Sequence, residues 1–392
     1  MKILQVTNFF KPSWESGGPA RVAYEISKKL VERGHEVTVY TTDGFKSRLN
    51  VKKNEPVDVD GIKTYYFRNL SRYLAREMVL PIPYYLPIVA RKEIRDFDVI
   101  HIHEHRAVLA VIVRHYAKKY GIPYILQAHG SVLPIFQKQG LKKIFDILFG
   151  YGILKDASKI IALTKTEAKQ YKKMGVDRDK IEIVPNGIDF SEYENLPKRG
   201  EFRRKYGIKD NEEVILYIGR LHRTKGIDLL VEAFLDILKE IDSIRLALVG
   251  PDDGYESALK ELIQELKMDN KVLFTGFVSN DEKMAAFVDA DVFVTPSFSG
   301  FPVTFLEACA CGTPIITTNN GDELDWIHDK VGYVVEYDKD QLRDGIFKIL
   351  SDEELRRRFG EEGKRLVREE FGWDNVIRQI EDVYLIVRRS CV

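Results

Sequence analysis

The strongest constraint on this chain is a set of short runs that stay apolar at consecutive positions: ILQV at 3–6, DVIHIH at 98–103, PYILQ at 123–127, VILYI at 214–218, RLALV at 245–249 and DVFVT at 291–295. A strand with one face in water alternates apolar and polar residues. Consecutive apolar residues belong to a strand covered on both faces, the condition of a parallel sheet wrapped by helices. Each run stops at polar residues, Gly or Pro, and a segment of helical period follows. In the first cycle residues 2–9 form a strand, Val22, Ala23, Ile26 and Leu30 share one helix face, Gly34 ends the helix, and 36–42 is the next strand. The cycle continues through 156–164 and 181–189, pauses over the polar stretch 191–207, and restarts at Val214. It predicts an α/β chain of two Rossmann-like domains, 1–190 and 208–373, with 191–207 as linker and a closing amphipathic helix within 374–392.

A length of 392 residues suits two domains of ordinary size. With 44% hydrophobic and 31% charged residues, the composition is that of a globular chain without low-complexity blocks. The apolar start, MKILQVTNFF, is too short for a secretory signal, and no run reaches the roughly 20 apolar residues of a membrane span. Cys309, Cys311 and Cys391 form no disulfide or metal framework, which fits a reducing compartment; the expected location is the cytoplasm, with peripheral contact at the inner face of the cell membrane. Charge is unevenly divided: residues 1–190 hold 32 Lys+Arg against 20 Asp+Glu, and the remainder holds 28 against 40. A basic first half attracts anionic lipid, nucleic acid or phosphorylated substrates, although dispersed charge also serves solubility.

Two segments have a different texture. Prolines and aromatics interrupt regular helix between 72 and 94, which reads as a flap facing substrate or membrane. Residues 141–154 place Leu141, Ile144, Phe145, Ile147, Leu148 and Phe149 on one side of a helical wheel, opposite Lys142, Lys143 and Asp146. A helix packed on the core and a helix lying on an anionic membrane share this pattern, and both readings stand.

Chemistry concentrates at the carboxyl ends of the strands. In 291–325 a strand runs through a Ser/Gly/Pro loop into a helix, with Pro302 expected at the first helical position. The amides of Val303 and Thr304 would then be unpaired at the positive helix end, a seat for a phosphate. Glu307, one turn on, reaches a sugar or ribose hydroxyl, or pairs with a neighbour in an ordinary crossover. Gly17 and Gly18 occupy the first strand-to-helix turn, where a ligand can approach the backbone closely. His103, Glu104, His105 and His129 close two strands of the first half, each as a site residue or a structural one. GRLHRTKG carries Arg220 and Lys225 to a helix start, and two fixed cations there suit a diphosphate.

The ordered set GGPARVA (17–23), DVIHIHEH (98–105), QAHG (127–130), IVPNGID (183–189), YIGRLHRTKGIDLLVEAF (217–234), VLFTGFV (272–278) and SGFPVTFLEACACGTPII (299–316) resembles the retaining nucleotide-sugar glycosyltransferases of family 4. The resemblance runs from about 17 to 327. It implies the GT-B fold, two Rossmann-like domains facing a cleft, with the last helix crossing back to the first domain. The first domain would hold the acceptor and the second the donor. Arg220 and Lys225 would bind the donor diphosphate, Glu307 the ribose, and His129 the sugar near its anomeric carbon. Val278 would lie by the base, with Gly17, Gly18, Ser299, Gly300, Phe301, Val303 and Thr304 completing the donor seat.

The implied reaction moves a hexose from a nucleoside diphosphate to a hydroxyl of a lipid-linked or cell-surface glycan precursor, with no cofactor. No metal is expected: Asp98 and Asp291 begin strands at the wrong sheet edge, and the other Asp-x-Asp pairs, 58/60 and 338/340, lie away from any phosphate seat. The expected partners are a nucleotide sugar, a glycan or glycolipid acceptor and an anionic membrane surface, not nucleic acid. One position departs from the family pattern of two glutamates separated by seven residues: Ser299 stands where the first belongs, which opens the donor sugar to question. Two alternatives accompany this reading, a nucleotide-sugar epimerase of the same architecture and a non-catalytic sugar-nucleotide binder.

Overall fold

The computed structural model describes the chain apart from residues 15–16, 46, 78–79, 135–137, 299–300, 320–323 and 390–392. The chain forms two compact units, Met1–Gly187 with Trp373–Val392, and Ile188–Gly372.

The first unit is built on an eight-stranded sheet: β1 (Lys2–Val6), β2 (Glu36–Thr42), β3 (Pro56–Val59), β4 (Ile62–Phe67), β5 (Val99–His103), β6 (Tyr124–Gln127), β7 (Lys159–Ala162) and β8 (Ile181–Ile183), in the order β3-β4-β2-β1-β5-β6-β7-β8. All neighbours are parallel except β3 and β4. Successive strand residues enter different cores: Leu4, Ile100, Leu126 and Ile160 face one, and Ile3, Val99, Ile125 and Ile161 the other. The unbroken apolar runs are thus the signature of a sheet buried on both sides.

Trp373–Arg389 is a helix of this unit, and its Val376, Ile377, Ile380, Val383, Tyr384 and Val387 share a core with Val22, Ile26 and Leu30 of helix Gly18–Glu32. Glu381 fastens the pair from outside, accepting from Arg33 and His35 at 2.8 and 2.7 Å. The expected return of the last helix to the first domain is therefore a feature of the fold.

The second unit holds β9 (Glu213–Ile218), β10 (Ile244–Val249), β11 (Val272–Gly276), β12 (Val292–Thr295), β13 (Ile315–Thr318) and β14 (Gly332–Val335), ordered β11-β10-β9-β12-β13-β14 and parallel throughout. Here too consecutive residues diverge, Val214 and Leu216 to one core and Ile215 and Tyr217 to the other.

Three expectations need correction. Residues 191–207 are not a linker: Tyr193 and Phe202 lie in the second unit's core, and buried Arg203 ties the stretch to Asp289 and Asp291. Most of its polar side chains are exposed, but Arg203 is buried in this ion-pair network. Pro302 is the residue before helix Val303–Cys311, with extended backbone, rather than its first residue. The third concerns 141–154. Gln139–Phe145 and Tyr151–Asp156 are α-helical, but Asp146–Gly150 between them is a π turn. Asp146 points inward and takes Arg106 through both oxygens at 2.8 and 2.7 Å. With the charged residue inside, Leu141, Ile144, Ile147, Leu148 and Phe149 are exposed, and Phe145 alone of the six packs on the core.

The β3–β4 hairpin has a local sequence signal: Asp60-Gly61, both at positive φ (54° and 81°), is a two-residue turn between the two strands.

Helix packing in the second unit depends on close approach of Gly312 and Gly360, where a Cβ on Gly360 would meet the Gly312 carbonyl oxygen. Gly360→Ala is expected to lower stability in urea unfolding by about 1–3 kcal/mol through overpacking. Gly140→Ala, on a helix with open space around it, is expected to leave the midpoint unchanged or raised.

Candidate active site

In each sheet the chain reverses its direction of winding at one place, between β1 and β5 and between β9 and β12. The loops leaving two such neighbouring strands diverge and open a crevice at their carboxyl ends.

In the second unit, β9 runs into Gly219-Arg220, and Gly250 leaves β10 at φ 139° because any Cβ there would strike Gly219. The Arg220 guanidinium lies on the exposed carboxylate of Asp253, and the Tyr217 hydroxyl donates to the Arg220 carbonyl at 3.0 Å. Lys225 is half-buried with no ion-pair partner among the described residues. Burial, and then the neighbouring Arg220, hold its ammonium below the ordinary lysine value. With only Arg220 paired, the second cation, Lys225, leaves a net positive field at this loop.

The next residue, Gly226, is left-handed at φ 64° and lies against Pro296, so the loops after β9 and β12 touch. Val303 and Thr304 open their helix with amides that bond to no described residue, and Phe301 stacks over Trp326 at 6.0 Å. Ser299 and Gly300 lie outside the described residues. Glu307 is buried and takes the Lys283 ammonium at 2.6 Å. Its carboxylate is thus already paired, the neighbour contact that the sequence left open. Val278 follows β11 at the sheet's far side, half-buried beside the exposed ring of Phe277.

In the first unit Gly17 precedes helix Gly18–Glu32 at φ 100°, and a Cβ on either glycine would meet no described residue within 4 Å. Open space in front of a helix start is what a ligand requires. Across the β1/β5 switch, Glu104 and His129 leave β5 and β6 at φ 74° and 52°. Such angles are uncommon for non-glycine residues and concentrate where surrounding structure imposes them. Around His129 that structure is explicit. Gly130 N–H donates to buried Glu167 at 2.7 Å, Ala128 N–H donates to Tyr171 at 2.8 Å, and Arg106 donates to the carbonyls of Ser131 and Val132. His129 Nε2 lies 2.8 Å from His103 Nδ1.

His105 faces the interior without a hydrogen bond, so it belongs to the core rather than the edge. The acidic pairs are also used internally: Asp60 takes Lys11, Asp98 takes Arg388, Asp291 takes Arg203, and Asp338 caps a helix. Sequence reading missed Asp253, Lys283 and Glu167, since each reaches its partner across tens of residues with no local signal.

Two family models divide the chain between them. The one described as Glycosyltransferase Family 4 matches residues 16–192, and the one described as Glycosyl transferases group 1 matches 198–366. The chain is a family 4 glycosyltransferase. An uncharacterized glycosyltransferase of Methanocaldococcus jannaschii is 29% identical over 98% of each chain. N-acetyl-alpha-D-glucosaminyl L-malate synthase of Bacillus anthracis is 29% identical over 95% of each. In fold, this glycosyltransferase resembles sucrose-phosphate synthase from Thermosynechococcus elongatus, with a TM-score of 0.78 at 20% identity over 99% of each chain.

Glu104 gives the enzyme a measurable pH signature. Burial pushes its carboxyl up to about 7, opposed in part by the Asn8 N–H that it accepts. A folded-state value above the unfolded one means that the group favours folding at low pH and loses that contribution as pH rises through about 7. Between pH 5 and 8 the enzyme is expected to lose about 1–2 kcal/mol of unfolding free energy that Glu104→Gln keeps, measured as the difference between their urea curves.

Proposed function

We propose that this glycosyltransferase is a retaining hexosyltransferase that takes its sugar from a nucleoside diphosphate bound by the second unit and passes it to a hydroxyl acceptor held by the first. The observation that carries the reading is Lys225, a half-buried cation with no ion-pair partner among the described residues, beside Arg220 and at the same carboxyl edge of the sheet as the helix start at Val303 and Thr304, whose amides bond to no described residue. A diphosphate supplies the missing charge, and Arg220 exchanges the exposed Asp253 for it. Glu307, steadied by Lys283, accepts from a ribose hydroxyl with its second oxygen, and Val278 and Phe277 border the base. Gly17 and Gly18 leave room for the donor's phosphate side, and His129 meets the sugar.

In the reaction the anomeric carbon–phosphate oxygen bond breaks while the acceptor oxygen bonds to the same face of that carbon. The acceptor proton passes to the departing phosphate, whose charge Arg220, Lys225 and the helix amides compensate. Because those groups meet the charge, no divalent ion is assigned. The epimerase alternative needs acid and base carboxylates at the reacting carbon, and Glu307 is held by Lys283.

The acceptor is assigned to a lipid-linked or membrane-proximal glycan. What supports this is the exposed face of Leu141, Ile144, Ile147 and Leu148 with Lys142 and Lys143, on the half of the chain rich in Lys and Arg. A peripheral helix gains from both its apolar face and attraction to anionic headgroups, which supports a location at the cytoplasmic face of a membrane as part of this reading. A second reading, a small anionic acceptor in solution, has its own support: the basic first half suits it, and the Bacillus anthracis relative is named for L-malate.

Arg220→Ala and Lys225→Ala are each expected to lower turnover by about 2–4 kcal/mol of transition-state stabilisation. Near-normal turnover in both would remove the diphosphate assignment. A panel of nucleotide sugars, read first as slow hydrolysis and then as transfer, separates transferase from binder; tight binding without turnover toward any acceptor supports the binder. Activity is expected to survive EDTA, and loss that Mn²⁺ restores would overturn the metal-free assignment. Flotation with anionic liposomes is expected to fall as salt rises and to be lost in Ile147→Glu/Leu148→Glu, whereas absence of flotation favours the soluble acceptor.

A further inference from the structure

A chain of buried polar side chains runs from the last helix to His129. Tyr384 Oη lies 3.0 Å from Gln5 Nε2 in β1, Gln5 Oε1 lies 2.8 Å from His103 Nε2 in β5, and His103 Nδ1 lies 2.8 Å from His129 Nε2. A side branch joins Tyr384 Oη to His101 Nδ1 at 2.8 Å. The His103 and His129 rings are nearly coplanar, at 8°, the arrangement of two imidazoles sharing one hydrogen.

We propose that Gln5, His103 and Tyr384 are positioning residues that hold His129 in its Nε2–H tautomer and leave its Nδ1 as a hydrogen-bond acceptor. Burial keeps His101, His103 and His129 neutral, so each ring carries one proton and each N···N contact has one donor. The Gln5 amide sets the direction. Its nitrogen donates to Tyr384, and its oxygen, which only accepts, requires the His103 proton on Nε2. His103 Nδ1 is then a lone pair, and His129 Nε2 must donate to it. The Tyr384 hydroxyl, already accepting from Gln5, sends its own proton to His101 Nδ1.

Rotating the Gln5 amide by half a turn reverses every bond and places the His129 proton on Nδ1. The orientation of the Gln5 amide, held between Tyr384 of the last helix and His103, therefore sets whether Nδ1 of His129 accepts or donates. In transfer this matters through the reading that His129 meets the donor sugar: an acceptor nitrogen selects a sugar hydroxyl that donates, at a ring position fixed by the strained turn. Tyr384 is 379 residues from Gln5 in sequence, so nothing local announces the connection.

The test uses the full chain with ¹⁵N-labelled histidine, observing side-chain nitrogens by NMR at neutral pH, with His129 assigned from its loss in His129→Asn. The expected result is a protonated Nε2 and a bare Nδ1; the opposite tautomer overturns the proposal whatever the activity. Gln5→Met and Tyr384→Phe are each expected to mix the tautomers and to lower kcat roughly tenfold with little change in donor KM. Gln5→Glu, whose carboxyl oxygen still accepts from His103, is expected to restore both the tautomer and kcat. A pure Nε2–H signal in both Gln5→Met and Tyr384→Phe, with only the melting temperature lowered, reduces the chain to a structural role and overturns the proposal. If the tautomer follows the variants while turnover does not, the relay stands and the placement of the sugar at His129 fails.

Discussion

A sheet covered on both faces has only its ends to offer a ligand. That constraint governs both units: consecutive strand residues such as Ile3 and Leu4, or Ile215 and Leu216, enter opposite cores, so neither face of either sheet is left for chemistry. Polar groups with work to do are displaced to the carboxyl edge, and most of all to the place where the winding reverses. Arg220, Lys225 and the Val303–Thr304 amides stand at one such place, and Glu104 and His129 at the other.

The two edges solve different problems. In the second unit the edge is made largely of backbone and cations, with glycines where a Cβ would block approach. Gly226 against Pro296 and Gly250 against Gly219 set the loop that carries Arg220 and Lys225. Such a surface tolerates a highly charged ligand because it supplies charge without bulk. In the first unit the edge is made of neutral rings and carboxyls held in unusual backbone conformations by interior hydrogen bonds, as when Glu167 and Tyr171 pin the turn at His129. It offers direction and selectivity, because neutral donors and acceptors discriminate by geometry more than by field strength.

The architecture was legible because its cause is local: unbroken Val/Ile/Leu runs, glycines at turns, and a last helix apolar along one side. What escaped reading is what depends on distant partners. The polarity of 191–207 looked like a linker because nothing nearby shows that Arg203 is buried against Asp289 and Asp291. The wheel drawn through 141–154 assumed α-helical period throughout, and the π turn around Asp146 rotates it so that apolar residues face outward. Glu307 carried an even choice in sequence, and Lys283, on another helix, decides its immediate neighbour. Sequence expected Arg220, Lys225, Val303, Thr304 and His129 just after strands, and they follow β9, β12 and β6 there, but their protonation and pairing come from residues that sequence alone could not connect.

The helix Trp373–Arg389 gives synthesis a fixed order of completion. Residues 1–187 emerge first, with Val22, Ile26 and Leu30 turned toward a partner that does not yet exist, and the whole second unit must be made before Val376, Ile380 and Tyr384 arrive to cover them. A ribosome that stops early therefore releases a first unit with an open apolar face and an unanchored Gln5, recognisable as unfinished by chaperones and proteases. The core between the sheet and helix Gly18–Glu32 therefore closes only after the second unit has been made.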